Sequence, residues 1–153
     1  QQSIDRTIND KYCDYLDKAL INQLDNWMEI GSRGYLALII ILDQFSRHIY
    51  RYKQIPTNSS IRLDTDGKAL QIAKLLINRS GWENELSIPQ QIFALMPFRH
   101  SPTVDRLNDV ISRIDSTEAK EIDNFMLINK FRKQTMRRLQ HLQDREKQRN
   151  LMI

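Results

Sequence analysis

The fold depends on residues 35–51, which read YLALIIILDQFSRHIYR. Residues 36–42 form an unbroken run of seven aliphatic side chains. A short run of this kind also occurs in buried strands, so the run alone leaves strand and helix open. The apolar pattern continues through Phe45, Ile49 and Tyr50 at helical spacing, which is too long for a typical strand. We therefore predict a helix, and because it is apolar on all sides, we predict that it is buried.

The spacing of apolar residues predicts helices on both sides of this segment. We expect Pro97 to stop the helix that contains it, because proline breaks the hydrogen-bond ladder. Asp115 and Glu118 resemble a capping box, which would open the last helix. The chain has only four glycines and four prolines, too few for a fold of many hairpins. The other predicted helices cover about 3–20, 65–78, 87–96, 101–114 and 116–148.

From these helices we predict an all-α fold in which antiparallel helix pairs stack as a tetratricopeptide-like, right-handed array. With 153 residues, the chain has the length of one domain, so we predict a single helical domain over 1–153. Its last helix, from about 116 to 148, is basic. The longest apolar run is far shorter than the ~20 residues that cross a bilayer, which predicts no membrane contact. One cysteine and no visible leader favour the cytoplasm.

A charged cluster follows the aliphatic run. On one α-helix, Asp43, Arg47 and Arg51 are four residues apart and share a face that extends the buried stripe. A buried charge is costly unless it is paired, so we expect an ion pair between Asp43 and Arg47. Arg51 would then need another acidic partner, such as Asp64 or Asp66. The cluster is either a structural network or the floor of a pocket in which a guanidinium binds a phosphate or carboxylate.

A second polar cluster, Arg99-His100-Ser101, comes immediately before a predicted helix start. Free backbone N–H groups at a helix N-terminus attract anions. Ser101 could instead simply cap that helix. His100 could act as a general base if it faces the pocket. The sequence therefore leaves a structural and a chemical role open for this cluster.

The chain resembles the family named domain of unknown function 924 over roughly residues 4–114. The resemblance implies a tetratricopeptide-like helical fold, and it implies no activity, because the activity of the family is unknown. The chain departs from the family pattern at Ser46, Pro102 and Leu107, where the family has proline, an acidic residue and glutamine. The matching motifs are Trp27, residues 35–51, Asp66 followed by ALQIA at 69–73, and FALMPFRHS at 93–101.

The C-terminal segment is strongly basic. Between Lys130 and Arg149 there are eight Lys or Arg residues and two acidic ones. The simplest interpretation is a solvated helix that packs through a narrow apolar stripe. The alternative is contact with the phosphates of RNA or DNA, although the segment lacks interleaved aromatics. The residues that would make this contact are Arg132, Lys133, Arg137 and Arg138.

The sequence contains no glycine-rich phosphate loop, no cysteine and histidine metal pattern and no nucleophile elbow, so we expect neither cofactor nor metal. The favoured function is a binding or scaffold module for a protein or peptide partner. One alternative is a hydrolase or transferase acting on a small anionic ligand, and another is a nucleic-acid-binding accessory protein. In the enzyme hypothesis His100 and Asp43 are catalytic, Arg47, Arg51 and Arg99 bind the anion, and Gln44, Asp66 and Ser101 complete the pocket or network.

Overall fold

The computed structural model describes residues 1–118 and 124–151. Within these ranges the chain forms eight α-helices and no strand, which confirms the all-α prediction. The right-handed, tetratricopeptide-like stacking stays a prediction. A 3-10 helix at Asp25–Ile30 and a π-helical segment at Ile40–Phe45 complete the secondary structure. The α-helices are α1 (Gln2–Leu20), α2 (Ser32–Ile39), α3 (Ser46–Tyr52), α4 (Ser60–Ile77), α5 (Trp82–Glu85), α6 (Ile88–His100), α7 (Val104–Glu118) and α8 (Phe125–Asn150).

The aliphatic run forms the central helix of the fold, as predicted. Helix α2, the π-helical segment and α3 follow one another without a break. Leu38, Ile39, Leu42 and Ile49 have no exposed surface. Helices α1 and α4 both pack against this continuous helix. The π-helical segment is an addition to the prediction, because it interrupts the regular α-helix assumed from the sequence.

The chain divides into two compact units, residues 1–97 and 98–153. The first unit contains α1 to α5 and most of α6, with the central helix at its core. In the second unit α7 packs against α8, and Leu107, Val110 and Phe131 are buried. The single domain expected over 1–153 stays a prediction. None of the helices in the described ranges is both long and apolar enough to cross a membrane.

Two predicted helix boundaries around residue 100 are wrong. Helix α6 continues through Pro97 to His100, because a proline removes one helical hydrogen bond without preventing the bonds of later residues. Ser101 does not cap the next helix. The hydroxyl of Thr103 accepts a hydrogen bond from the backbone N–H of Arg106 at 3.2 Å, and α7 begins at the next residue, Val104.

The start of the last helix also differs from the expected position near 116. Ser116 lies inside α7, where its hydroxyl donates to the carbonyl oxygen of Arg113 at 2.7 Å. The carboxylate of Asp115 accepts a hydrogen bond from Nε of Arg132 in α8 at 2.5 Å. It therefore links two helices instead of capping one. Helix α8 begins at Phe125. The side chain of Glu118, the other member of the expected capping box, lies outside the described residues.

Gly34 allows α2 and the 3-10 helix of the first unit to approach closely. A Cβ atom built on Gly34 would lie 1.7 Å from the carbonyl oxygen of Trp27. This oxygen belongs to the backbone of the 3-10 helix, so it cannot move without displacing that helix. Only a residue without a side chain permits α2 to pack here.

We expect Gly34→Ala to lower the free energy of unfolding by about 2–3 kcal/mol, because overpacking forces the backbone to shift. The matched control is Gly67→Ala in α4, where an added Cβ meets nothing within 4 Å. That change should raise the stability by about 0.5–1 kcal/mol, since alanine favours the helix. Urea denaturation measures both. A stabilising effect of Gly34→Ala would contradict the close packing of α2.

Candidate functional site

The carboxylate of Asp43 lies in the interior of the first unit. Asp43 directly follows the aliphatic run and has no exposed surface. Nη2 of Arg47 donates to Oδ1 of Asp43 at 3.3 Å, which is the ion pair expected from their spacing. The side-chain amide of Gln44 donates to Oδ2 of Asp43. The structure therefore brings together three of the residues singled out in the sequence.

Arg47 also reaches a second helix. The same Nη2 atom donates to Oδ1 of Asp66 in α4 at 2.9 Å. Arg47 and Asp66 are partly exposed, with about a third of each side chain accessible, whereas Asp43 is fully buried. One guanidinium thus joins two carboxylates from two helices. This is the arrangement of a packing network, and it lies at the edge of the interior where a ligand could also reach it.

Arg51 does not pair with Asp64 or Asp66, so that expectation is wrong. Its partner is Asp5 in the first turn of α1. Nε of Arg51 donates to Oδ2 of Asp5 at 2.6 Å, and Nη2 donates to Oδ1 at 2.7 Å. Helix α3 packs directly on α1, so the long arginine side chain meets the carboxylate of α1 there. Sequence spacing cannot reveal a partner that is 46 residues away.

Asp5 is the centre of a second charged cluster that the sequence analysis missed. It is buried, and Nδ1 of His48 lies 2.7 Å from its Oδ1 atom. The hydrogen bonds from Arg51 hold the pKa of the Asp5 carboxyl well below its ordinary value of 3.8, against the opposing effect of burial. Hydrogen bonds from His48 and Gln1 lower this pKa further. The carboxylate is therefore ionised throughout the physiological pH range.

A small polar cavity borders Arg47. Arg62 of α4 forms part of its wall, and its guanidinium lies 5.3 Å from the ring centroid of Tyr50. Nε and Nη2 of Arg62 donate to the carbonyl oxygen of Ile55 at 3.0 and 2.7 Å. Burial lowers the pKa of Arg62, and the nearby charge of Arg47 lowers it further. The cavity has a volume of about 60 Å³ and is lined by Ser46, Arg47, Tyr50, Thr57, Arg62 and Asp66.

The first unit also contains an apolar groove of about 410 Å³. The rings of Tyr12 and Phe45 are 4.5 Å apart, and those of Tyr15 and Trp27 are 6.1 Å apart. Tyr15 is 43% exposed, so part of this aromatic surface faces solvent. From the sequence we predicted a helix over about 3–20 but no groove beside it. The groove is lined by Tyr12, Tyr15, Trp27, Ala37, Ile40, Ile41 and Phe45.

The other site residues predicted from sequence belong to the second unit. The guanidinium of Arg99 lies 4.7 Å from the ring centroid of Phe131, which is cation–π distance. The carbonyl oxygen of Ser101 accepts a hydrogen bond from Nη1 of Arg106 at 2.7 Å. His100 is the last residue of α6 and is half-buried. The expectation that this group shares a pocket with Asp43 stays a prediction.

The basic residues proposed for nucleic-acid contact differ in their surroundings. Arg132 forms an ion pair with Asp115 at 2.5 Å, so its charge is already compensated within the second unit. Lys133, Arg137 and Arg138 are exposed, and no acidic side chain in the described ranges pairs with them. In the part of the chain that the structure describes, no three His, Cys, Asp or Glu side chains form a group that could hold a metal ion.

Comparison with known protein families gave a match over nearly the whole chain. A sequence model of the family described as "Bacterial protein of unknown function (DUF924)" matches residues 1–149. The resemblance carried by the motifs at 35–51 and 93–101 is thereby confirmed. The match also includes the basic C-terminal helix, which the motif comparison had left outside. No curated protein and no solved structure matches the chain.

The Asp5 cluster predicts a specific dependence of stability on pH. Because the folded protein lowers the pKa of Asp5, the unfolded chain takes up a proton first as the pH falls. The stability from this cluster is therefore present above the ordinary pKa of 3.8 and is lost as the pH falls from there toward the lower value of the folded state. We expect Asp5→Asn to destabilise the protein at neutral pH, and this difference to shrink in acid.

Urea denaturation over a series of pH values measures this effect. The control is Asp14→Asn, because Asp14 is exposed on the same helix and has no pairing partner among the described residues. The control should follow the wild-type pH profile. Equal losses for Asp5→Asn in acid and at neutral pH would contradict the assignment of the low pKa to Asp5.

Proposed function

We propose that this chain, which belongs to the DUF924 family of bacterial proteins of unknown function, is a binding module whose first unit takes up an apolar peptide segment with acidic flanks. The observation that carries the proposal is the open apolar groove between α1 and the central helix. Because the function of the family is unknown, the chemistry of the groove must identify the class of ligand.

The groove has the size and lining of a binding site. Its volume of about 410 Å³ lies within the range of ~300–1,000 Å³ that is usual for ligand pockets. Tyrosine and tryptophan rings offer large apolar faces at a small cost in conformational entropy, and each also carries a polar group that can orient a ligand. Tyr12, Tyr15 and Trp27 supply these rings. Such a lining favours the apolar anchors of a peptide over a strongly polar metabolite.

The charge beside the groove indicates the flanks of the partner. Lys11 and Lys18 lie four residues before and three residues after Tyr15, so they neighbour it on the surface of α1. Both lysines are exposed, and neither pairs with an acidic side chain in the described ranges. An acidic residue next to an apolar anchor would meet one of these ammonium groups. We therefore infer an acidic, apolar segment as the ligand.

Two finer expectations belong to the same proposal. A tetratricopeptide-like arrangement would present a concave surface, which is a common place for a bound peptide. A cytoplasmic location agrees with a chain whose single cysteine, Cys13, carries no disulfide. Neither expectation is required by the groove itself.

The test starts from peptides selected against the protein in a phage-displayed random library. The best synthetic peptide is then titrated while the fluorescence of Trp27 is followed, because the other tryptophan, Trp82, is buried and outside the groove. We expect Tyr15→Ala to weaken binding at least about tenfold, as loss of a central aromatic anchor does. Tyr52→Ala is the matched control, since Tyr15 and Tyr52 are each 43% exposed and Tyr52 lies outside the groove.

A second pair of variants tests the charge of the partner. Lys18→Glu should weaken binding and lower the association rate, because a repulsive charge would stand beside the groove. Lys74→Glu changes an exposed lysine on α4 and should have no effect. Selected peptides that lack apolar anchors, or that bind Tyr15→Ala as tightly as wild type, would refute the proposal.

Nucleic-acid binding through α8 is a second candidate, favoured by one observation. Lys130, Arg137 and Arg145 are spaced by seven and eight residues, so they follow one side of the helix. All three are exposed, whereas Ile128 and Phe131 on the same helix are buried. None of the three basic residues has an acidic partner in the described ranges. Their exposed positive charges are therefore available to the phosphates of a nucleic acid.

We expect a labelled single-stranded RNA to bind with an affinity that falls steeply as the salt concentration rises. Arg137→Gln should reduce the slope of log affinity against log salt by about one, since one phosphate contact is lost. Arg33→Gln, an exposed arginine of the first unit, serves as the control. Fluorescence anisotropy measures both slopes. A binding constant that does not depend on salt would exclude this candidate.

A further inference from the structure

The cavity beside Arg47 is lined by two arginines and the carboxylate of Asp66, and Arg47 carries an unsatisfied donor. Nε of Arg47 is buried and has no hydrogen-bond partner among the described residues. A buried donor without a partner costs about 1–3 kcal/mol, so native proteins usually supply an acceptor from water or from a ligand. Arg62 lines the same cavity, and its proximity to Arg47 is unfavourable for both guanidinium groups. An anion between them would relieve the repulsion.

The remaining wall of the cavity supplies acceptors. The hydroxyl of Thr65 donates to the carbonyl oxygen of Ile61 at 2.5 Å, so Tyr50 must donate its own proton to Thr65 at 2.6 Å. The hydroxyl of Ser46 donates to the carbonyl oxygen of Leu42 at 2.6 Å. The oxygens of Tyr50 and Ser46 therefore offer only lone pairs to the cavity. The ligand must donate as well as accept hydrogen bonds.

We propose that this cavity binds the phosphate group of a small molecule or free phosphate, in a form that keeps at least one proton. Arg47 and Arg62 bind its unprotonated oxygens, and guanidinium groups are well suited to phosphate. Its P–OH group donates to an acceptor of the wall, for which Asp66 is the strongest candidate because a carboxylate oxygen accepts more than one hydrogen bond. The volume of about 60 Å³ suits an ion of this size.

The acceptors in the wall make the site selective. Sulfate has the same shape as phosphate, but at neutral pH it carries no proton and cannot donate to a carboxylate. A sulfate ion in this cavity would therefore face Asp66 with like charge and no hydrogen bond. The same reasoning excludes a simple carboxylate ligand, which is also fully ionised at neutral pH. This binding site is separate from the apolar groove, so neither proposal depends on the other.

The test is isothermal titration calorimetry of the whole chain at pH 6, where about half of a phosphate monoester keeps its second proton and sulfate carries none. The ligands are sodium phosphate, glycerol phosphate and sodium sulfate, at constant ionic strength set with sodium chloride. We expect saturable binding of phosphate or of glycerol phosphate, and at least tenfold weaker binding of sulfate. The tighter of the two phosphate compounds identifies the source of the group. Asp66→Asn should bring the affinity for sulfate to within about threefold of that for phosphate, because the repulsive charge is removed.

Arg62→Gln should weaken the binding of phosphate about tenfold or more, since a charge-assisted hydrogen bond is lost. Arg33→Gln is the matched control and should bind phosphate as wild type does. Arg62 also holds the carbonyl of Ile55, so Thr57→Val provides a second variant if Arg62→Gln does not fold. Thr57 is exposed and lines the cavity, so the loss of its hydroxyl should weaken the binding of phosphate about threefold.

Tyr15→Ala, in the groove, should leave phosphate binding unchanged, which separates a failure of this proposal from a failure of the proposed function. The proposal is overturned if neither phosphate compound binds saturably, or if sulfate binds wild type as tightly as phosphate does. It is also overturned if Arg33→Gln weakens the binding of phosphate as much as Arg62→Gln does.

Discussion

The burial of the Asp43 carboxylate constrains the whole first unit. A charge without exposed surface is tolerated only when it is paired and hydrogen-bonded. Arg47 meets this requirement and also binds Asp66, so the pairing of one carboxylate fixes the position of α4 against the central helix. Aliphatic packing alone would allow the two helices to slide by a turn. The ion pairs specify one register.

The same principle operates between the central helix and α1. Asp5 is buried at the first turn of α1 and receives two hydrogen bonds from Arg51, while His48 lies within hydrogen-bond distance. Charged residues of one short helix, α3, therefore contact both flanking helices. Removing the arginine of either cluster would leave a buried carboxylate without its arginine partner, whereas replacing exposed charges such as those of Arg6 and Asp10 would change little.

The sequence predicted the parts of this arrangement that depend on neighbours along the chain. The aliphatic run and the pair of Asp43 with Arg47 are local, because residues four apart meet on a helix. The pairing of Arg51 with Asp5 was missed, since it joins residues far apart in the chain. The helix starts expected at Ser101 and 116 were wrong, because serine, threonine and aspartate all make plausible caps. The competition among them depends on the tertiary contacts of each side chain.

The π-helical segment was invisible in the sequence for a different reason. The residue types of Ile40–Phe45 do not distinguish α from π hydrogen bonding. Such π-helical segments nevertheless often occur at functional sites. Ile40, Ile41 and Phe45 of this segment line the apolar groove, whereas Ser46 and Arg47, which follow at once, line the polar cavity. One irregular stretch of backbone thus separates the apolar groove from the polar cavity.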